Sequence, residues 1–251
     1  MPTTSADGFR SVVFDCDSTL VGIEGIDELA GSRADEVRAL TDAAMAGEIP
    51  LEAVYGRRLE LIRPSRTQID AVGRSYVGAL VPDARATVQA LLWLGKSVRV
   101  LSGGLFPPVA ALAIGLGLEV ESVAAVGIRF GEQGEYAGFD EASPLARVGG
   151  KAEVIRKWNL PRPTLLVGDG ATDAEARPAV DSFAAYMGVA YRAAVADAAD
   201  VVLRAASLAP VLALAAGSAE RDRLRTSEWA SLLARGEEIL HGSADDPSTA
   251  A

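Results

Sequence analysis

Short apolar runs that end in polar or glycine-rich breaks recur along the chain and predict a parallel α/β sheet. The first run, residues 12–14, precedes Asp15, and a second, residues 97–101, precedes Ser102-Gly103-Gly104. Runs this short and rich in β-branched residues are typical of buried strands. The same layout predicts further strands at 164–167, 183–186 and 201–203.

Helical signals lie between these strands. A helix is predicted from Pro82-Asp83 to Gly95, and another begins at Pro107-Pro108. Alternation of strands and helices favours a parallel sheet, in which ligands bind outside the carboxyl ends of the strands. We therefore expect Asp15, Ser102 and Asp169 to meet at one edge of the sheet.

The alternation is interrupted once, and this predicts the domain organisation. Residues 21–80 carry apolar positions at helical spacing and are interpreted as a small helical cap inserted after the first strand. The α/β core then comprises residues 9–20 and 81–217, with a hairpin predicted within 126–139. Residues 218–251 are predicted to be a C-terminal extension, partly helical and then disordered, which either packs on the core or mediates self-association into a homodimer.

Composition excludes several classes of function. The chain has 24 Lys and Arg against 34 Asp and Glu, and its net charge of −10 shows no basic cluster for nucleic acid or an anionic membrane. One cysteine and one histidine exclude internal disulfides, Cys-based zinc sites and Ser-His-Asp catalysis. With no signal peptide and no apolar stretch long enough to span a bilayer, a cytoplasmic protein is expected.

Two acids, Asp15 and Asp17, directly follow the first predicted strand. A like-charge pair at a sheet edge indicates a hard cation, a nucleophile beside an acid/base, or both. A calcium loop of the EF-hand type would need Gly and Glu at its sixth and twelfth positions, where this chain has Leu20 and Ile26. The pair therefore favours metal-assisted nucleophilic chemistry.

Four motifs in order carry a family resemblance: DCDST at 15–19, SGG at 102–104, Lys151 and GDGATD at 168–173. This set resembles the haloacid-dehalogenase-like phosphatases. The strings EGIDELA (24–30), AMAG (44–47), RRLELIRPSR (57–66) and GEYAGFDE (134–141) narrow the resemblance to phosphoserine phosphatases, over roughly residues 9–215. It implies a Rossmann-like core with a helical cap and Mg²⁺-dependent hydrolysis of O-phospho-L-serine, a small-molecule phosphomonoester, as the last step of serine biosynthesis.

The resemblance and the chemistry of phosphate esters together assign roles in the core. Asp15 is the expected nucleophile, which forms an aspartyl-phosphate. Asp17 is the expected acid/base, with a pKa raised by neighbouring negative charge. The remaining core roles are phosphoryl binding by Ser102 and the Gly103 amide, substrate binding by Thr172, charge neutralisation by Lys151, and Mg²⁺ binding by Asp15, Asp169, Asp173 and the Asp17 backbone carbonyl.

The cap is expected to choose the substrate. By resemblance, Glu24 binds the ammonium group of phosphoserine and Arg58 grips its carboxylate, with Met45 and Gly47 lining the pocket. Leu51 departs from the family, which usually carries an aromatic residue there, so a looser apolar wall is expected.

Three other functions compete with this interpretation. A phosphatase of the same fold with another small substrate differs only in the cap. A receiver-type signalling protein also uses an aspartyl-phosphate, but its acid lies on a later strand and it has no cap. A non-catalytic binding module is disfavoured by the intact set of Asp15, Asp17, Lys151 and Asp169.

Overall fold

The computed structural model of the chain describes residues 7–45 and 51–244. Within them the strands are, in chain order, β1 (Ser11–Phe14), β2 (Ser97–Leu105), β3 (Val123–Val126), β4 (Ile128–Phe130), β5 (Tyr136–Phe139), β6 (Thr164–Gly168), β7 (Ser182–Tyr186) and β8 (Val201–Leu203). Six of them form one parallel sheet in the order β3-β2-β1-β6-β7-β8, and β4 pairs with β5 antiparallel. The predicted parallel α/β fold is confirmed.

Strand β1 shows why the sheet lies inside the protein. Val12 and Phe14 are fully buried in the core on one face, whereas Val13 is fully buried in the core on the other. A parallel sheet with helices on both faces needs this continuous apolar character, because successive side chains point to opposite faces. The central position of β1 places the residue that follows it, Asp15, in the middle of the carboxyl edge.

Four helices lie between β1 and β2 in the segment predicted as the cap. They are α1 (Gly25–Ala30), α2 (Ala34–Met45), α3 (Leu51–Ile62) and α4 (Arg66–Gly78). The chain leaves and re-enters the sheet domain through two paired linkers, in which the Gly22 amide donates to the Ala79 carbonyl (2.8 Å) and the Val81 amide to the Leu20 carbonyl (3.1 Å).

The helices that cover the sheet follow the strands in sequence. They are α5 (Ala84–Trp93), α6 (Phe106–Gly115), α7 (Gly150–Trp158), α8 (Ala171–Ala176), α9 (Ala193–Asp197) and α10 (Ala209–Ala215). The predicted stop at Gly95 agrees with its φ of +80°, a left-handed conformation that favours glycine. Pro107 and Pro108 lie in the first turn of α6, where proline is tolerated.

One strand differs from its prediction. The second strand was expected to end at Leu101, but β2 continues through Ser102-Gly103-Gly104 to Leu105. Its register against β3 shifts between Leu101 and Leu105, and pairing resumes where Leu105 faces Val126. The glycine-rich stretch is therefore an irregularity within a strand, held extended by pairing beyond it, and not the break that ends the strand.

The C-terminal segment packs on the core. Helices α11 (Ser218–Arg225) and α12 (Ala230–Ala244) follow α10, and Leu224, Leu232 and Leu233 are buried there. Lys96 Nζ, almost fully buried, lies 2.7 Å from Glu220 Oε2 at the start of this segment. Packing on the core is thus observed for the helical part, self-association stays a prediction, and residues 245–251, predicted to be disordered, lie outside the described residues.

Among the helices in residues 7–45 and 51–244, none combines the length and the apolar character that crossing a membrane requires.

Candidate active site

Three acidic residues meet at the carboxyl edge of the sheet. Asp15 follows β1, Asp169 follows β6, and Asp173 lies one turn into the segment after it, on α8. Each offers a carboxylate oxygen that lies within 4.8 Å of those of the other two, and all three residues are buried. Burial, reinforced by the charge of Asp15, raises the pKa of Asp169 to about 6 and also raises the pKa of Asp173.

This cluster fits a hard divalent cation. Its donors are carboxylate oxygens, which Mg²⁺ and Ca²⁺ prefer, and it contains neither sulfur nor imidazole. Carboxylates buried this close together repel one another, and a bound cation would remove that repulsion. The Asp17 side chain is not part of the cluster, so a metal role for Asp17 stays a prediction about its backbone carbonyl.

Lys151 lies among these carboxylates. It is buried at the start of α7, with Nζ 3.0 Å from Asp15 Oδ2 and 2.7 Å from Asp173 Oδ1. Burial alone would lower the pKa of Lys151, but the charges of Asp15 and Asp173 raise it, so the ammonium stays protonated. The other oxygen of Asp15, Oδ1, accepts from the Cys16 amide at 2.7 Å.

The backbone at Gly168 is shaped to admit Asp173. A Cβ at position 168 would lie 2.2 Å from Asp173 Cγ, a distance that no side chain permits. Asp173 Oδ2 in turn accepts from the Gly170 amide at 3.1 Å. Glycine at the end of β6 is therefore required for the acid to reach Lys151.

Asp17 has a different environment. Its Oδ1 accepts a hydrogen bond from the Tyr76 hydroxyl and lies 3.4 Å from the Gly25 amide nitrogen. Burial, followed by the charge of Glu24, raises the pKa of Asp17 to about 8, although the Tyr76 hydrogen bond opposes the shift. A carboxyl with such a pKa can give and take a proton near neutral pH.

One cavity of about 240 Å³ joins the core and cap residues. Of the predicted site residues, those that line it are Asp15, Asp17, Glu24, Arg58, Ser102, Gly103, Lys151, Asp169 and Thr172. Asp173 lies behind this lining, against Lys151. Met45 is the last residue of α2, and Gly47 lies outside the described residues, so the predicted pocket roles of both stay predictions.

The cap side of the cavity is lined by two acids, Glu24 and Asp27, by Arg58 and by the aromatic ring of Tyr55. Glu24 precedes α1 and accepts from Ser18 Oγ at 2.6 Å. Arg58, on α3, has its Cζ 5.9 Å from the centre of the Tyr55 ring, and Tyr55 packs against Phe139 at 5.3 Å between centroids. Tyr55 lines the cavity one helical turn after Leu51, so an aromatic side chain is present in the cap wall.

Several residues of the site were not predicted from the sequence. Arg192, in the loop after β7, forms an ion pair with Asp169 and approaches Glu24 with Nη2 4.0 Å from Oε1. Thr19 Oγ1 donates to Asp169 Oδ1 at 3.0 Å, and Tyr76 contacts Asp17. No local sequence pattern marks Arg192 or Tyr76. Thr19 is the last residue of the DCDST motif, but no role was predicted for it.

Comparison with known proteins identifies the family. A scan against protein-family models gave no match. The chain is 39% identical over 196 residues to the phosphoserine phosphatase of Bos taurus, covering 76% of this chain and 87% of that protein. It is equally similar, 39% over 193 residues, to the phosphoserine phosphatase of Homo sapiens, covering 74% and 85%.

A solved structure supports the same fold. A phospho-aspartyl intermediate analogue of phosphoserine phosphatase superposes with a TM-score of 0.68 at 24% identity, covering 82% of this chain and 98% of that one. The shared fold is the haloacid-dehalogenase-like α/β fold that the motifs predicted. With 39% identity to curated relatives over three quarters of its length, this chain belongs to the phosphoserine phosphatase family.

Proposed function

We propose that this protein is a Mg²⁺-dependent phosphatase that hydrolyses O-phospho-L-serine to L-serine and phosphate. One observation carries the proposal: a single cavity joins Asp15, Asp17 and Lys151 from the core to Glu24 and Arg58 from the cap. Phosphoserine has a phosphate at one end and an ammonium and a carboxylate at the other. Glu24 and Arg58 match the ammonium and the carboxylate in charge, and Lys151, together with the cation that the core acids would hold, would offset the charge of the phosphate.

Asp15, Asp169 and Asp173 would hold the metal. When bound there, Mg²⁺ would offset the repulsion between the nucleophilic carboxylate and the phosphate and polarise a phosphoryl oxygen. The positive charge of Lys151, 3.0 Å from Asp15 Oδ2, acts in the same direction and orients the nucleophile.

In the first half of the reaction, a carboxylate oxygen of Asp15 attacks phosphorus and forms an aspartyl-phosphate. The bond between phosphorus and the seryl oxygen breaks, and its electron pair goes to that oxygen. A serine alkoxide is a poor leaving group, so protonated Asp17 donates a proton to it. The pKa of about 8 keeps much of Asp17 protonated at neutral pH.

In the second half, Asp17, now ionised, takes a proton from a water molecule. The water oxygen attacks phosphorus, the bond between Asp15 and phosphorus breaks, and phosphate leaves. Asp15 is again a carboxylate and Asp17 is again protonated, so the cycle closes. Ser102 and the Gly103 backbone, which line the cavity beside Asp15, would donate hydrogen bonds to the phosphoryl oxygens in both halves.

The cap residues would recognise the amino acid end. Glu24 offers a carboxylate to the substrate ammonium, and Arg58 offers the two-pronged donor that a carboxylate accepts. Met45 and Gly47 remain our predicted pocket residues on the family resemblance alone.

The test is phosphate release with Mg²⁺, comparing kcat/KM for phospho-L-serine, phosphoethanolamine, phosphoglycolate and sugar phosphates. Phosphoethanolamine lacks the carboxylate and phosphoglycolate lacks the ammonium, so each probes one cap residue. A preference for phosphoserine of a hundredfold or more, about 2.7 kcal/mol, is expected. A flat profile, or a better substrate among the others, would make the substrate assignment wrong and leave a phosphatase for another small phosphomonoester.

We further propose that the reaction is the last step of serine biosynthesis and takes place in the cytoplasm. A reducing compartment agrees with a single cysteine, Cys16, which is buried and cannot form an internal disulfide. A homodimer stays a prediction, and light scattering of the purified chain would test it.

A further inference from the structure

We propose that Tyr76 is a positioning residue that orients the carboxyl of Asp17 for proton transfer to the leaving group. The inference deepens the proposed function and depends on the acid/base role given to Asp17 there. No sequence motif marks Tyr76, which lies near the end of α4 and is 1% exposed.

One oxygen of Asp17 is held in place by Tyr76. The Tyr76 hydroxyl donates to Asp17 Oδ1, and the Gly25 amide lies 3.4 Å from the same oxygen. The room for this contact depends on Gly25, because a Cβ there would lie 2.1 Å from the Tyr76 hydroxyl oxygen. Tyr76, Gly25 and Asp17 therefore form one interlocked group in which the phenol fills the space that glycine leaves.

The other oxygen of Asp17 faces the phosphoryl-binding strand. A Cβ at position 104 would lie 3.0 Å from Asp17 Oδ2 and 3.1 Å from Ser102 Oγ. Oδ2 thus lies next to the Ser102-Gly103-Gly104 stretch, which lines the cavity. Proton transfer requires the donor oxygen within about 2.6–3.2 Å of its partner. By anchoring Oδ1, Tyr76 fixes the rotation of the carboxyl that aims Oδ2 at the substrate.

This hydrogen bond also joins the two parts of the protein. Asp17 follows the central strand β1, whereas Tyr76 is on the last cap helix, just before the linker at 79–81. The pair is separated by 59 positions in sequence. The place where the cap sits on the core therefore sets the orientation of the acid.

The test replaces only the hydroxyl, as Tyr76→Phe, and compares two substrates of different leaving-group basicity. We expect kcat/KM for phospho-L-serine to fall about 10- to 100-fold, since its alkoxide needs the proton from Asp17. We expect kcat/KM for p-nitrophenyl phosphate to fall less than about threefold, since p-nitrophenolate leaves without a proton. The value of kcat/KM includes only the steps up to the first cleavage at phosphorus. The later hydrolysis of the aspartyl-phosphate therefore does not affect the comparison.

Tyr186→Phe is the matched control. Tyr186 is fully buried, its hydroxyl donates to the Ala206 backbone carbonyl, and it does not line the cavity. Both variants lose one buried hydrogen bond, so their free energies of unfolding in urea should fall by similar amounts. Only Tyr76→Phe should change the ratio of the two kcat/KM values.

A double-variant cycle with Asp17→Asn tests whether Tyr76 acts through Asp17. An amide cannot donate the proton, so Tyr76→Phe should have no further effect on phosphoserine hydrolysis in that background. If the losses instead add, or if Tyr76→Phe leaves the substrate ratio within threefold of wild type, the inference is wrong. If wild type prefers another alkyl phosphate to phosphoserine, the same comparison is made with that substrate, so failure of the substrate assignment is distinguished from failure of the role of Tyr76.

Discussion

The core wall and the cap wall of the active-site cavity differ in how their charged side chains are buried and paired. The core wall, Asp15, Lys151 and Asp169, consists of residues at the ends of central strands or at a helix start, each buried and tied to another charged group. The cap wall, Glu24, Tyr55 and Arg58, lies outside the sheet, with Glu24 just before α1 and the other two residues on α3. The Glu24 side chain is 46% exposed, whereas that of Lys151 is 4% exposed.

The difference separates the chemistry from the choice of substrate. Buried, paired charges at the edge of a rigid sheet are preorganised and can act on any phosphate that reaches them. Glu24, Tyr55 and Arg58 can change without removing any of these core ion pairs, whereas the cap residue Tyr76 contacts the acid Asp17 itself. Substitutions in the core wall should therefore lower kcat/KM for every phosphomonoester. Substitutions in the cap wall should lower it for phosphoserine and leave it nearly unchanged for substrates that lack the recognised group.

The largest effect is expected for Asp15→Asn. The amide keeps the size of the side chain but cannot act as the nucleophile, so kcat should fall by about 10⁴-fold or more for phosphoserine and for every other phosphomonoester. Phosphate release measures this, with circular dichroism to verify the fold. Residual turnover above about one per cent of wild type would assign the nucleophile elsewhere.

Asp17→Asn should have the next largest effect, a loss of about 10²- to 10⁴-fold in kcat for phosphoserine. The variant retains an acceptor for Tyr76 but cannot exchange a proton, so the fold should be preserved. Asp27→Asn is the control, because Asp27 also lines the cavity but lies on the cap helix α1. Near-normal turnover of Asp17→Asn would contradict the acid/base assignment.

Arg58→Lys tests the cap wall. Lysine keeps the charge but loses the planar two-pronged donor, so kcat/KM for phosphoserine should fall about 10- to 100-fold. For phosphoethanolamine, which has no carboxylate, the change should stay within about twofold. Arg57→Lys on the same helix is the matched control, since Arg57 is exposed and does not line the cavity. Equal losses of kcat/KM with both substrates would mean that Arg58 takes part in the reaction itself and not in the choice of substrate. The proposed difference between the two walls would then be wrong.

The smallest effect is expected far from both walls, at the contact of Asp83 with α12. Burial opposes ionisation of Asp83, but hydrogen bonds from Arg235 and Ser207 lower its pKa. The contact therefore stabilises the fold above the ordinary carboxylate pKa, and that contribution is lost as pH falls through the lowered pKa.

Asp83→Asn should accordingly reduce the free energy of unfolding by about 0.2–1 kcal/mol at neutral pH and leave kcat/KM unchanged. The difference from wild type should shrink in acid. Urea unfolding at several pH values measures it, and a difference that grows on acidification would give Asp83 the opposite role.

Prediction from sequence succeeded where a residue's place depends on the backbone of its own element. The meeting of Asp15 and Asp169 was expected because parallel strands end at one edge, and the structure brings their carboxylates together. It failed where a register or a distant partner decided the outcome. The extension of β2 through Gly103 depends on pairing with β3, which the local sequence does not reveal.

The sequence by itself determined the alternation of strands and helices, the acids at the strand ends and the family motifs. These are local, since burial, side-chain period and turn chemistry are encoded within a few residues. Only the tertiary structure decided that Tyr76 holds Asp17 and that Arg192 pairs with Asp169, contacts that span 59 and 23 positions. Such contacts depend on how separate elements pack, and the local sequence does not indicate which Tyr or Arg makes them.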